Sequence, residues 1–484
     1  MKEKRVKYIH VIVLIWVIIG AYMLCRLAAN FSGNTWVIQL LMSGCLIAAI
    51  CKGLWEKEKG LLTYESAIKK IVFMGMVMRI GYMLYTGCTI RSHDLGDLDI
   101  NGYGHAAYIL KLMEQGHLPE TNQIQFYQQP FYYFISAAVS RGVNAVLGTK
   151  DAYYLVDTAK IVSCIASCSS IWIAENIFKT CGLKEKGMIR AMAFVAFQPA
   201  FFLCGGRVNP DMLAAMFMML ALLYTLYWMK DRSWKNTIML AVIYGFGMMT
   251  KISCATMAAV TFIVFLKAFI KACRTQKAME LIKKYAVFLM ISLPLGLWYS
   301  VRNYLKFGQN LTYVLEQDRN SELYHGTYSL AQRMIGIDIM NLFRTPYASP
   351  WKDYNFPVYC LKSSLFGEFT YNIWNIIPTL LLCFACVLAG VVITLFVKGI
   401  KSRSTDCDKK LSLILSAWFY LCAIGFYYKY PFGCSMDYRY LLILTSAVAL
   451  IIGNAKFKGK KAEQFLDWTC MGYSICSCLM YCLI

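Results

Sequence analysis

Apolar runs of about 20 residues, the length a helix needs to cross a bilayer, recur from one end of this 484-residue chain to the other. No other feature constrains the fold as much. A soluble core has no room for so many such runs, and in lipid each must satisfy its own backbone, which a helix does. Thirteen spans are expected, at about 8–29, 36–51, 69–90, 154–178, 188–206, 211–229, 236–250, 253–272, 284–301, 374–398, 411–429, 440–454 and 466–484. The first is too long for a signal peptide and lacks the small-residue cleavage site of one. The chain is therefore read as an all-α polytopic membrane protein.

The formal net charge of +22 would suit a nucleic-acid partner, but its distribution excludes one. Lys and Arg gather in short connections: KEKRVK, KGLWEKEKG, KTCGLKEKGMIR, KDRSWK, KAFIKACRTQK, KGIKSR and KFKGKK. These are every second loop, the positive-inside pattern. It places the N-terminus in the cytoplasm and, after thirteen crossings, the C-terminus outside. The stretch PFYYFISAAVSRGVNAVL, 130–147, is apolar enough to cross. A crossing there would turn the next four basic loops outward, so it is expected to be a re-entrant or juxtamembrane helix interrupted by Arg141. The 20 cysteines are scattered through the spans without metal-ligand or disulfide spacing, and act as small apolar residues.

The long polar interruption at 91–129 carries five acids against two bases and, by the same parity, faces outward. Asp94, Asp97 and Asp99 fall within six residues, just after the third span, and His93, His105 and His117 lie in the same stretch. Ionisable groups at a membrane edge point to function. A carboxylate there can serve as a general base where partial burial raises its pKa; alternatively these acids cap the helix that follows or are solvated. That helix, near Tyr103–Gln115, has Tyr103, Ala107, Leu110 and Met113 at helical spacing and ends at Gly116 and Pro119. It is expected to lie in the interface plane, with His105 and His117 as phosphate contacts or polar anchors. Four cations stand on the outer side: Arg207 in CGGRVNPDM with Asn209 and Asp211, Lys251 in MMTKIS, Arg302 in WYSVRN and Arg439 in SMDYRY. Together they suit an anion such as a lipid phosphate; singly, each can be snorkelling to headgroups.

In this order, HDLGDLD, EQGHLP, YQQPFYY, NPDML, MMTKIS, RNYLKFG and DYRYLL resemble the motifs of the GT-C superfamily of polyprenyl-phosphate-dependent glycosyltransferases, which includes protein O-mannosyltransferases and the aminoarabinose transferases of lipid A. The resemblance covers about residues 70–450. Where the family often shows H-P-P-L-Y-Y, this chain has Gln128 and Gln129 in place of the histidine and first proline. It implies a GT-C-like fold of about thirteen transmembrane helices, with juxtamembrane or re-entrant helices in the first large external loop. It also implies an inverting glycosyltransferase in the plasma membrane, with its site on the outer face. The donor would be a polyprenyl-phosphate-linked sugar and the acceptor a glycan, lipid or protein. Asp94 is the first candidate for the base, Asp99 the second and Asp97 the third. Arg207, Lys251, Arg302 and Arg439 would stabilise the departing phosphate, with His93, His105, Gln129 and Asp211 as further substrate contacts. No cofactor is expected; the three acids could hold a divalent cation, which many relatives do without.

The expected organisation is an additional hairpin at 1–68, a catalytic module at 69–301 with external loop 91–153, an external lid at 302–373 and terminal helices at 374–484. In the lid, Tyr313, Tyr324, Tyr328, Trp351 and Tyr354 suit sugar stacking or interfacial anchoring, and His325 a contact with acceptor. Two other classes also fit. A secondary transporter of an anionic solute would place ionisable groups near the midplane of interrupted helices in repeated halves, and no repeat is visible. A non-catalytic assembly protein would have no use for the acids and cations.

Overall fold

The computed structural model describes residues 2–32, 35–274, 278–311, 313–315, 317–337, 339–401, 407–457 and 459–484. Residues 275–277, 402–403 and 458 of three basic connections named above lie outside the described residues, as do Thr312, Glu316 and Asp338 of the segment 302–373. The described residues are helical, with one isolated backbone bridge between Tyr324 and Phe432.

Each expected span falls on helical residues, 188–206 and 440–454 on bent pairs, but thirteen crossings are not established. Among the described residues, eight helices are long and apolar enough to cross, or up to ten if each of two bent pairs is one span. Three others fall short for identifiable reasons. Tyr64–Tyr85 carries Lys69, Lys70 and Arg79, Trp234–Thr250 has 17 residues, and the apolar part of Lys460–Leu483 is diluted by Asp467, Trp468, Thr469, Tyr473 and Ser474. The third helix also ends at Tyr85 rather than near residue 90. Lys160 donates to the carbonyls of Met83, at 3.1 Å, and Thr86, satisfying acceptors that the helix end leaves open.

The chain forms two compact units. The first comprises residues 1–34, 83–173 and 204–315. Its helices Trp234–Thr250 and Ala278–Phe307 approach through glycine: a Cβ on Gly245 would lie 2.5 Å from Leu295, and one on Gly296 2.5 Å from Met248. Between spans, Thr261 bonds Thr225 at 2.8 Å and Tyr244 at 2.7 Å. Asp157 is a buried hub. It accepts from the Tyr22 hydroxyl at 2.8 Å and the Cys88 amide at 2.8 Å, and pairs with Lys160 at 2.7 Å. This pair fastens the start of the polar loop to the helix Lys160–Thr180.

The second unit comprises residues 35–82, 174–203 and 316–484. Its two bent pairs are Glu185–Ala196 with Pro199–Gly205, at 41°, and Gly433–Leu441 with Leu444–Gly453, at 56°. The first break follows from Pro199, which cannot donate to the ladder. Arg79, fully buried, compensates by donating to the freed carbonyls of Val195 at 2.9 Å and Ala196 at 2.6 Å. Gln198 bridges the break, donating to the Ser364 carbonyl at 3.0 Å and accepting from the Tyr473 hydroxyl.

One expectation for the polar loop is corrected. Phe131–Leu147 is one uninterrupted helix; Arg141 does not break it, because its guanidinium reaches out to the Met113 carbonyl. The helix Gly104–Gln115 is enclosed by protein along its first two turns. Every residue from Gly104 to Leu110 is buried, because polar and apolar side chains alike find partners on the neighbouring helices. Its C-terminal stop is as expected, with Gly116 left-handed at φ 71°.

Candidate active site

The loop after the third helix folds back on itself. The His105 amide donates to the Asp94 carbonyl at 3.1 Å, Ala106 to Leu95 at 2.8 Å and Asp97 to Tyr103 at 2.9 Å. Two glycines make this close return possible. A Cβ on Gly96 (φ 71°) would fall 1.9 Å from the Tyr103 carbonyl, and one on Gly104 (φ 99°) 2.5 Å from the Gly96 Cα. Asp94 sits at φ 55°, in the left-handed region that Asp tolerates better than most residues. Its backbone is thus pinned while its side chain is exposed.

The other two acids have local duties. The Asp97 carboxylate accepts from the Tyr103 amide at 3.3 Å, and that of Asp99 from the Asn101 amide at 3.0 Å. Among the described residues, Asp94, Asp97 and Asp99 do not bring three carboxylates close enough to share one ion. Beside them, burial pushes the Tyr127 phenol up to about 12, and the charge of Asp94 adds to the effect. His93 is half-buried.

His105 is no isolated anchor. It is 1% exposed, with Nδ1 2.7 Å from the Tyr133 hydroxyl and Nε2 3.5 Å from Asn209 Nδ2. Because Tyr133 donates its own proton to Gln128 Oε1 at 3.2 Å, the network assigns the histidine proton to Nδ1 and leaves Nε2 as acceptor. Asn209 continues the chain: its Oδ1 accepts from the Asp211 amide at 2.7 Å, and Asp211 is ion-paired with Lys251. A continuous polar path therefore runs from Gln128 through Tyr133, His105 and Asn209 to Asp211 and Lys251.

Gln129 closes this path on a second side. Its Oε1 accepts from the Ile252 amide at 3.2 Å, and its Nε2 donates to Ser300 Oγ at 3.3 Å. The two glutamines that stand in place of the histidine and proline thus bind protein groups, Gln128 the Tyr133 hydroxyl and Gln129 the turn that presents Lys251.

The remaining cations are placed differently from one another. Arg207 is buried, with 4% exposure. Arg302 donates to Asn303 Oδ1 at 2.9 Å and to the Pro119 carbonyl at 2.8 Å, so it clamps the end of the polar loop onto the helix Ala278–Phe307. Lys306 adds a contact to Glu120 at 2.5 Å, which lowers the Glu120 carboxyl pKa by hydrogen bonding. Arg439 belongs to the second unit, where Asp437 lies 3.4 Å from its Nε and its Nη2 bonds the Tyr440 hydroxyl at 3.0 Å. Sequence reasoning missed Tyr133, Asp157 and Lys160. Asp157 and Lys160 carried a readable signal, opposite charges three residues apart inside an apolar run; Tyr133 stands in the motif YQQPFYY, which does not name its partners.

Residues 155–298 match the family model described as dolichyl-phosphate-mannose-protein mannosyltransferase, a group within the superfamily whose motifs the chain resembles. The matched segment contains Arg207, Asn209, Asp211 and Lys251, and ends short of Arg302. The chain is also similar to solved structures of ArnT from Cupriavidus metallidurans. The apo form is 12% identical, with 78% of this chain and 72% of that one covered at a TM-score of 0.34. The form bound to undecaprenyl phosphate is 12% identical, with 81% and 76% covered at 0.34. The archaeal oligosaccharyltransferase AglB from Archaeoglobus fulgidus, solved with an inhibitory peptide and a dolichol-phosphate, is 11% identical, with 88% of this chain and 56% of that one covered at 0.45. No curated protein matches the chain by sequence.

Proposed function

We propose that this chain is an integral-membrane glycosyltransferase that moves a sugar from a polyprenyl-phosphate carrier to an acceptor hydroxyl at the outer membrane face, with inversion. The observation that carries the reading is the pinned, left-handed Asp94 on its self-paired loop, in the same unit as the polar path to Lys251. The order of motifs along the chain and the family match over 155–298 support it.

In the proposed step, the Asp94 carboxylate takes the acceptor hydroxyl proton as that oxygen bonds to the anomeric carbon. The bond from that carbon to the phosphate oxygen breaks, and its electron pair leaves with the lipid phosphate. General-base assistance of this kind is worth about 10²–10⁴-fold in rate. Lys251, oriented by Asp211, and Arg207 would stabilise charge growing on the phosphate. At the membrane edge the low dielectric strengthens each such contact. Asp97 and Asp99 would shape the loop, and Arg302 would hold it in place. Gln129 would fix the Lys251 turn. His93 would be a substrate contact beside Asp94. The N-terminus would be cytoplasmic, the membrane the plasma membrane and the acceptor a glycan, lipid or protein.

A secondary transporter of an anion is the second reading, and the two bent helix pairs favour it, since interrupted helices line transport sites. Purified protein in nanodiscs with a radiolabelled pool of polyprenyl-phosphate sugars separates the two. The transferase reading expects label to leave the lipid fraction for an acceptor with inverted anomeric configuration. A transporter in sealed vesicles would instead move solute across the bilayer and leave the lipid label intact.

A further inference from the structure

We infer that the second unit contains a site for a small oxyanion, a carboxylate or phosphate, built by Arg333 and His325 around Tyr427. The inference does not depend on the transferase reading.

Arg333 lies on the short helix Leu330–Met334, which opens on a capping box between Ser329 and Gln332. Asn355 donates to the Gln332 carbonyl at 2.9 Å, so the helix is held at both ends. The Arg333 residue is 7% exposed, its guanidinium carbon stands 5.3 Å from the Tyr427 ring centre, and its buried Nε and Nη1 have no hydrogen-bond partner among the described residues. A buried guanidinium without an anion is costly.

Asp353, the nearby acid, is otherwise engaged. Its Oδ1 accepts from Asn341 Nδ2 at 2.6 Å and its Oδ2 from the Ser349 amide at 2.8 Å.

His325, 2% exposed, shares Tyr427 with Arg333. The Tyr427 hydroxyl donates to the Tyr354 carbonyl at 2.8 Å and lies 3.3 Å from His325 Nδ1, so Nδ1 carries the proton. The buried Nε2 then has no partner among the described residues. Tyr328, 39% exposed and stacked on Tyr354 at 3.9 Å, stands edge-on to the histidine at 6.2 Å. It is the solvent-side wall of the group.

An oxyanion would give both Arg333 Nε and His325 Nε2 a partner. Arg333 would donate to it from the Nε edge of the guanidinium, and neutralising Arg333 would let His325 take a proton and donate from Nε2. Burial, with the Arg333 charge opposing the attraction of Asp353, holds the His325 pKa down to about 4. Anion binding should therefore raise it and draw in a proton.

The test uses the full chain in phosphatidylcholine nanodiscs with ¹⁵N-labelled histidine, which gives five imidazoles; His325→Gln assigns the one of interest. Inorganic phosphate, glucuronate and, as a neutral control, glucose are titrated in turn. The inference expects saturable movement of the His325 signal and a higher apparent pKa with phosphate or glucuronate but not glucose. The response should be lost in Arg333→Gln, weakened in Arg333→Lys and retained in Lys251→Gln. Movement on changing to phosphatidylglycerol discs without added anion would support the site with a lipid headgroup as its source. No response to any anion, or a response that survives in a folded Arg333→Gln protein, overturns it. Arg333→Lys, which keeps the charge, serves if Arg333→Gln fails to fold. The readout is binding alone, so it is separate from any failure of turnover.

Discussion

Lys251 and Asp211 form an ion pair between the end of the helix Trp234–Thr250 and the start of the helix Asp211–Lys230. Asp211 is 5% exposed, so Lys251, the cation proposed for an incoming phosphate, is also the partner of a buried carboxylate. Removing one half strands the other. Lys251→Met should lower stability by about 3 kcal/mol, the low end for breaking a buried pair, and abolish donor binding. The double variant Lys251→Met, Asp211→Leu should recover stability without binding. Thermal unfolding in detergent beside a lipid-donor binding assay separates the two effects.

The loop return at Gly96 and Gly104 makes a sharper claim about Asp94. Gly96→Ala must push its new carbon into the Tyr103 carbonyl and bear about 1–2 kcal/mol for a left-handed alanine. Turnover should fall at least tenfold while thermal stability drops only modestly and donor binding persists. Equal losses of binding and turnover would show that the loop supports the fold rather than the base.

Arg79 supplies a stability prediction remote from the site. Arg79→Met would leave the carbonyls of Val195 and Ala196 buried without their donor, at a cost of about 1–3 kcal/mol for each stranded group. Denaturant or thermal midpoints check this, and turnover per folded molecule should be unchanged.

His325 predicts a pH dependence. Its folded pKa, about 4, lies below the ordinary histidine value near 6.5. Below about pH 6.5 the unfolded chain therefore binds a proton that the folded one does not. Stability from this group is full above pH 6.5 and declines as pH falls toward 4. The drop in melting temperature between pH 7 and pH 4.5 should shrink in His325→Gln.

Much of the architecture was legible because lipid makes the signal local. A run such as 376–401 must be helical wherever it packs, and Gly116 marks a stop through its own backbone, whereas the break at Pro199 fell inside a run read as one span, 188–206. Crossing counts were less legible, because charges inside Tyr64–Tyr85 and the shortness of Trp234–Thr250 are ambiguous without neighbours. In the site, Asp94, Lys251 and Arg302 announced themselves as charges at span ends. Their partners did not. That Arg302 grips the Pro119 carbonyl, or that His105 bonds Tyr133 and Asn209, depends on contacts from 28 to 183 residues away in sequence. Nothing local in GYGHAAY encodes a buried histidine. Phe131–Leu147 was misread as interrupted because an arginine with a long stem can leave a helix face without breaking the helix.

The central claim is that Asp94 is the base of a sugar transfer from a lipid phosphate. The direct measurement compares wild type with Asp94→Asn in nanodiscs, following both turnover and binding of a radiolabelled polyprenyl-phosphate sugar. The account predicts turnover lower by about 10²–10⁴-fold with donor affinity changed less than threefold. Undiminished turnover in Asp94→Asn, or loss of donor binding in step with turnover, would contradict it.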